Sequence, residues 1–271
     1  MKERSKLQRI LKMLFLLASC ALCTSTLPGV ESRAAVPPFM MICRKMDPHI
    51  NDCIKESLQK LLPSLKNGVE ALGFPAIDPL SLPELTLCLG EGEVSLKMTL
   101  DGVTVSGLSQ ADVLSVKANV EDGKFEISTR TPELGFSGRY TAEGGVHRLP
   151  LGGQGDFNVT LTDVTSVWMV YYHEGQDVVT PERLSSSPTP VLAMEVDAFA
   201  LDLMPSKASY HFDHFLDGDN GLGNAVNSFL NENAHEVFND IKGQLLKQMG
   251  NAFAEVANLL LFNFSEDQIL Q

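Results

Sequence analysis

The last fifty residues constrain the fold more than any other part of this chain. After a glycine-rich turn, apolar residues recur at Val226, Leu230, Ala234, Val237, Ile241, Leu245, Met249, Phe253, Val256 and Leu260, in steps of three and four. That period draws a stripe along one face of a helix. No proline falls between Gly223 and Phe262, so the pattern predicts one uninterrupted helix of about forty residues, roughly 60 Å long. A helix so long and so one-sided must lie against something equally long.

The middle of the chain supplies it. An earlier helix is expected from about Ile50 to Leu72, with a kink or break at Pro63 and a stop at Gly73. The proline-rich stretch Phe74–Leu85 should run extended. From Leu85 the apolar period falls to two: Val94, Leu96, Met98 and Leu100 alternate with Ser95, Lys97 and Thr99. Similar runs follow at Val113–Val120, Phe125–Thr129, Leu134–Tyr140, Phe157–Val164, Val167–Tyr172, Val191–Phe199 and Ala208–Phe212. Asp101-Gly102, Asp122-Gly123, Gly144-Gly145, Gly152-Gly153 and Gly218 are the expected turns between them. The Ser- and Pro-rich stretch Gly175–Pro190 reads as an exposed loop. The order helix, many strands, long helix predicts an α+β fold, with an antiparallel meander and helices segregated on it. A long sheet twists; curled around the helix, it would enclose an apolar interior able to hold an apolar ligand.

The start of the chain reads as an export signal, residues 1–25, with a cut site that could fall as late as 35. Lys2, Arg4, Lys6, Arg9 and Lys12 precede the apolar run Met13–Cys23, which is shorter than the roughly 20 residues of a membrane span. One domain, 36–271, would remain. The whole chain has a formal charge of −13; residues 1–25 hold five basic residues and one acid, and removing that net +4 leaves −17. So acidic a chain argues against nucleic acid and anionic membranes as partners.

In an oxidising compartment Cys43 and Cys53, flanking a short acidic turn, are the best candidate disulfide, and Cys88 is expected as a buried thiol, with intermolecular pairing as the alternative. Asn158-Val-Thr and Asn263-Phe-Ser are glycosylation acceptors.

Catalytic signatures are missing. There is no GxSxG and no HExxH. His211 and His214 have no third ligand indicated. Asp217-Gly-Asp219-Asn-Gly221 lacks the Glu that a calcium loop needs at its twelfth position, which is Ser228. No enzyme activity, cofactor or metal is expected.

The residues also resemble a known family, the insect takeout and haemolymph juvenile hormone-binding proteins, from about Cys43 to Phe264. The resemblance rests on Cys43, Asp47-Pro48 and Asn51-Asp52-Cys53-Ile54; on Leu72-Gly73-Phe74-Pro75 with Asp78-Pro79-Leu80; on Gly155-Asp156-Phe157-Asn158-Val159-Thr160-Leu161; and on His211-Phe212-Asp213-His214-Phe215 followed by Asn227-Ser228-Phe229-Leu230-Asn231-Glu232-Asn233. It implies a long C-terminal helix wrapped by a strongly curved antiparallel sheet around a hydrophobic tunnel. It implies secretion into haemolymph, a Cys43–Cys53 disulfide, and carriage of a juvenile hormone, related terpenoid or fatty-acid-like molecule. A monomer is expected, with a cell-surface receptor as a further partner. The family pattern has Trp where this chain has Ala234, which should alter the tunnel locally. Expected tunnel-lining residues are Trp168, Tyr172, Tyr210, Val226, Phe229, Leu230, Val237, Phe238, Leu245, Met249 and Phe253. Tyr140 and Tyr171 are further aromatic candidates, although strand parity lets only one of Tyr171 and Tyr172 face inward. The rival reading is a secreted interaction or signalling protein with a filled core that acts through its acidic surface.

Overall fold

The computed structural model describes residues 36–91, 94–146, 149–175, 193–215 and 220–271. The expected signal segment, the Gly175–Pro190 loop beyond its first residue and most of the 217–221 turn lie outside the described residues.

Helix α1 spans Ile50–Ser64. It ends one residue after Pro63, and a short 3₁₀ turn, Glu70–Leu72, takes up the rest of the expected span. Seven strands follow: β1 Leu80–Ser81, β2 Leu85–Glu91, β3 Val94–Ser106, β4 Asp112–Asn119, β5 Lys124–Val146, β6 Leu149–Glu174 and β7 Met194–Phe212. All pair antiparallel in one sheet of order β1-β3-β5-β6-β7, with β2 also on β3 and β4 also on β5. Helices α2 Asn220–Glu232 and α3 Ala234–Leu261 close the fold, with a last turn α4 at Glu266–Ile269.

Two expectations are corrected. The strands are fewer and far longer than the short meander predicted: β5 has 23 residues and β6 has 26. Gly144-Gly145 and Gly152-Gly153 sit inside strands rather than between them. Asp101-Gly102 is a bulge in β3, where Gly102 takes a φ of 60°; of the expected turns, Asp122-Gly123 does join two strands, β4 and β5. The C-terminal helix is not continuous either. Asn233 leaves helical geometry, and its side-chain amide donates to the Phe229 carbonyl at 2.8 Å. A side chain entering the helix's own ladder is an established cause of kinks.

The sheet is also creased. On β6 the inward residues are Phe157 and Leu161, and then Val164, Ser166, Val170 and Tyr172; the alternation shifts by one at Asp163, which has a φ of 51°. β5 shifts opposite it, between Thr131 and Leu134. Outside the crease, Arg130 holds the Asp163 carboxylate with two nitrogens, at 2.6 and 3.0 Å, and Ser206 donates to the Asp163 carbonyl.

The helix stripe packs into the hollow of this sheet. Leu245 and Met249 are buried, and Val226, Leu230, Ala234, Val237, Ile241, Phe253 and Val256 pack on the same core. At Gly250 the helix comes so near β7 that a Cβ would lie 2.2 Å from the Phe199 carbonyl, so only glycine permits the approach.

Exposed strand edges are closed by carboxamides. Gln244 and Gln248 of α3 each accept from a β2 backbone N–H and donate to the same residue's carbonyl, at Cys88 and Thr86. Asn227 and Asn231 of α2 do the same to Phe212 and Tyr210 of β7, and Asn258 to Val196. Gln59 of α1 bridges Val113 N–H and the Ala111 carbonyl beside β4. Each amide stands in for a neighbouring strand and satisfies groups that an open edge would leave unpaired.

The Cys43–Cys53 disulfide joins the leading segment to α1. Cys43 also pairs with the chain end: its N–H donates to Ile269 and its carbonyl accepts from Gln271. Lys45 lies 3.1 Å from both Glu266 and Asp267. Cys88, expected buried, is exposed. It alternates with Leu87 and Leu89, which take the inner face of β2, so strand parity turns the thiol outward.

Candidate binding cavity

The hollow between sheet and helices is not completely filled. A larger cavity of about 270 Å³ lies under α1, beside the clasped chain ends and the last turns of α3. A smaller one of about 110 Å³ lies beneath β2, β3 and the first half of α3. The larger exceeds the roughly 150 Å³ apolar cavity that suffices to hold benzene. Both are walled by aliphatic and aromatic side chains. Between them Leu134, Val164, Leu203, Leu246 and Met249 pack tightly, each no more than 6% exposed. The interior is thus two compartments in line, where a single tunnel was expected.

Of the expected lining residues, Trp168, Tyr172 and Phe253 face the larger cavity. Tyr210, Leu230, Val237, Phe238 and Leu245 face the smaller. Val226 packs on the core without reaching either, and Met249 belongs to the partition. Phe229 is a correction: it is 61% exposed, because α2 turns Val226, Leu230 and its two bonded asparagines to the sheet and leaves the intervening residues outside. The sequence reading missed the contribution of α1, whose Ile54, Leu58, Leu61 and Leu62 form one wall of the larger cavity. Their stripe was visible, but nothing in it said what it covers.

The aromatic floor of the larger cavity is built by contact. Trp168 and Phe199 have ring centroids 6.1 Å apart, and Phe199 and Phe253 meet edge to face at 5.7 Å. At the other end Tyr172 stacks on Phe125 at 4.9 Å. Its hydroxyl is buried and has no hydrogen-bond partner among the described residues. Burial, reinforced by the negative charges of Glu266 and Glu174, pushes this phenol well above its ordinary pKa, so it stays a neutral donor. Parity is settled by exposure, since Tyr171 points out and carries Lys124 over its ring at 5.3 Å.

In the smaller cavity Tyr210 donates to the Ala234 carbonyl at 3.2 Å, and burial raises its pKa to about 12. Ala234 is the first residue of α3 after the kink, so the site of the family's Trp lies at the rim of this compartment. Tyr140, the remaining aromatic candidate, donates to the Asp213 carbonyl at 2.6 Å and is otherwise enclosed by Phe212 and Phe215. Beside the larger cavity, the Asp78 carboxylate accepts from the Ser109 hydroxyl at 2.5 Å and from the Gly107 and Ser109 amides. It thereby fixes the turn that carries Leu108 onto the cavity wall. Partial burial pushes this carboxyl up, but those three donors outweigh it and hold the pKa below the ordinary value.

No group of three or more potential metal ligands occurs among the described residues, and His211 pairs with Asp213 at 3.0 Å. Also among them, no helix is long and apolar enough to cross a membrane. Asn158 is exposed on β6, with the Thr160 hydroxyl 3.4 Å from its amide oxygen. Asn263 is half-buried, and its amide donates to the Leu259 carbonyl at 2.9 Å.

Comparison with known proteins agrees with this architecture. The fold is that of Takeout 1 from Epiphyas postvittana, whose crystal structure superposes with a TM-score of 0.70 over 86% of this chain and 100% of that one, at 19% identity. In sequence, the chain is 23% identical over 244 residues to the "Putative beta-carotene-binding protein" of Schistocerca gregaria, covering 89% of this chain and 88% of that protein. It is 19% identical over 250 residues to the circadian clock-controlled protein daywake of Drosophila melanogaster, covering 89% and 91%. The profile of the haemolymph juvenile hormone binding protein family matches residues 15–271, and the chain belongs to that family.

Proposed function

We propose that this protein is a secreted carrier that encloses a small lipophilic molecule, a terpenoid or fatty-acid-like ligand, in the larger cavity. The observation that carries this reading is an almost wholly apolar space of about 270 Å³ with Tyr172 on its wall. Burial of the ligand's apolar surface would supply roughly 25 cal/mol per Å², and the phenol would orient one polar end. Kinship with a Schistocerca protein described by its carotenoid ligand supports an apolar cargo. The rival reading, a filled core acting through an acidic surface, is disfavoured by the cavity itself.

Native mass spectrometry of the secreted protein, followed by organic extraction, tests the proposal. A bound lipid, or displacement of a fluorescent apolar probe by terpenoids or fatty acids, is the expected result. Absence of both would overturn it.

A further inference from the structure

The two glycosylation motifs of the chain differ in what their asparagine amides already hold. Asn158 is exposed in the middle of β6. The Thr160 hydroxyl donates to its side-chain oxygen at 3.4 Å, and no other hydrogen bond holds its amide among the described residues. Two residues apart on an extended strand, Asn158 and Thr160 share the outer face. Their cross-strand neighbours are small or polar: Ser137 and His211 stand beside Asn158, and Gly135 and Ser209 beside Thr160. Phe157 and Val159, next along the strand, point the other way and line the smaller cavity. A sugar on Asn158 therefore lies outside the sheet, away from the apolar interior.

Asn263 is engaged. Its side-chain nitrogen donates to the carbonyls of Leu259 and Leu260 at 2.9 and 3.3 Å, and reaches that of Leu72 at 3.5 Å. Leu259 and Leu260 belong to the last turn of α3, whose carbonyls run out of helical partners. The amide thus caps the helix and ties it to the Glu70–Leu72 turn. The third residue of this motif, Ser265, is 7% exposed, and its N–H donates to the Gln268 side chain at 3.0 Å. Asn263 also falls among the last nine residues of the chain. It leaves the ribosome only when synthesis is over, so the closing of α3 competes with modification. We infer that Asn158 carries an N-linked oligosaccharide and that Asn263 carries none, its amide being the cap of α3. In the transfer, C1 of the first sugar bonds to the Asn158 Nδ2 as its bond to a lipid pyrophosphate breaks. The pyrophosphate leaves with the electron pair, and the amide gives up one proton. This inference rests on secretion, which is part of the carrier reading above.

Expression of the full chain in insect cells, with peptide mapping of the protein recovered from the medium, tests it. An amidase that strips N-linked glycans in heavy-oxygen water converts each glycosylated asparagine to a mass-marked aspartate. Position 158 should carry the mark and position 263 should remain asparagine. On a denaturing gel, Asn158→Gln and Thr160→Ala should each run faster by the mass of one oligosaccharide, while Thr160→Ser, which keeps the hydroxyl, should run with the parent. Asn158→Gln should also keep the parent's affinity for an apolar fluorescent probe, because the sugar lies outside the hollow. Asn263→Ala should run with the parent on the gel and melt lower, since α3 loses its cap. An unmarked position 158 in protein taken from the medium, or equal marking at both positions, would overturn the inference and leave the carrier reading intact. Absence of the protein from the medium would overturn secretion, and this inference with it.

Discussion

Gln248 grips Thr86 at both ends of its carboxamide: the Thr86 N–H donates to Oε1 at 3.0 Å and Nε2 donates to the Thr86 carbonyl at 2.7 Å. One turn earlier Gln244 repeats this on Cys88 at 2.9 and 2.7 Å. Replacing Gln248 with alanine leaves two backbone groups without their partners and should lower stability by about 1–2 kcal/mol. Gln248→Glu keeps the acceptor but sets a second oxygen against the Thr86 carbonyl, and should do no better. Urea unfolding measures both, and equal midpoints for Gln248→Ala and the parent would show the contact to be incidental.

Enlarging a wall residue should separate binding from folding. Ala257 lines the larger cavity and is half-buried. Ala257→Phe projects a ring into empty space, so the apo protein should melt no lower than the parent while affinity for an apolar probe falls at least tenfold. Unchanged probe binding would mean that the ligand lies elsewhere.

Asp78 gives a signed pH dependence. Its pKa is lowered in the folded state, so its stabilising contribution is complete above the unfolded-state value of about 3.8 and is lost as pH falls through the lower folded value. At neutral pH, Asp78→Asn should melt below the parent, and the gap should close in acid. Thermal melts of the pair across that range provide the check; a gap independent of pH would contradict the assignment.

Exposure of Cys88 predicts selective chemistry. A maleimide added to the native protein should label Cys88, whereas Cys43 and Cys53 should need a reductant first. Peptide mapping reads this directly, and an unlabelled Cys88 would show that something covers β2.

The helix stripe, the first helix and the α+β order were legible because each is a local pattern of period 3.6 or 2. The strand count was not. Asp101-Gly102 and Gly144-Gly145 have the composition of turns, but in long curling strands the same residues serve bulges and close approaches, and only pairing partners distinguish the two uses. The break at Asn233 was hidden for a similar reason, because asparagine is merely a mediocre helix former until its side chain finds the Phe229 carbonyl. Of the site, the apolar identity of Trp168, Tyr172 and Phe253 was visible. The partition at Met249 and the outward turn of Phe229 depend on where the sheet creases, which no single residue announces.

The amide contacts of Gln244 and Gln248 on β2, and of Asn227 and Asn231 on β7, come in pairs, and arithmetic explains why. Four residues of helix advance about 6.0 Å, while two residues of strand advance about 6.6 Å. A glutamine or asparagine at i and i+4 can therefore meet strand residues j and j−2 with little error, but each further repeat would add about 0.6 Å of mismatch. A helix can stitch a strand edge over two turns and cannot zip it along its whole length. The wall of this container is consequently fastened at a few discrete points, and the spans between them are held mainly by apolar contact, with the Lys242–Asp202 ion pair as one polar addition.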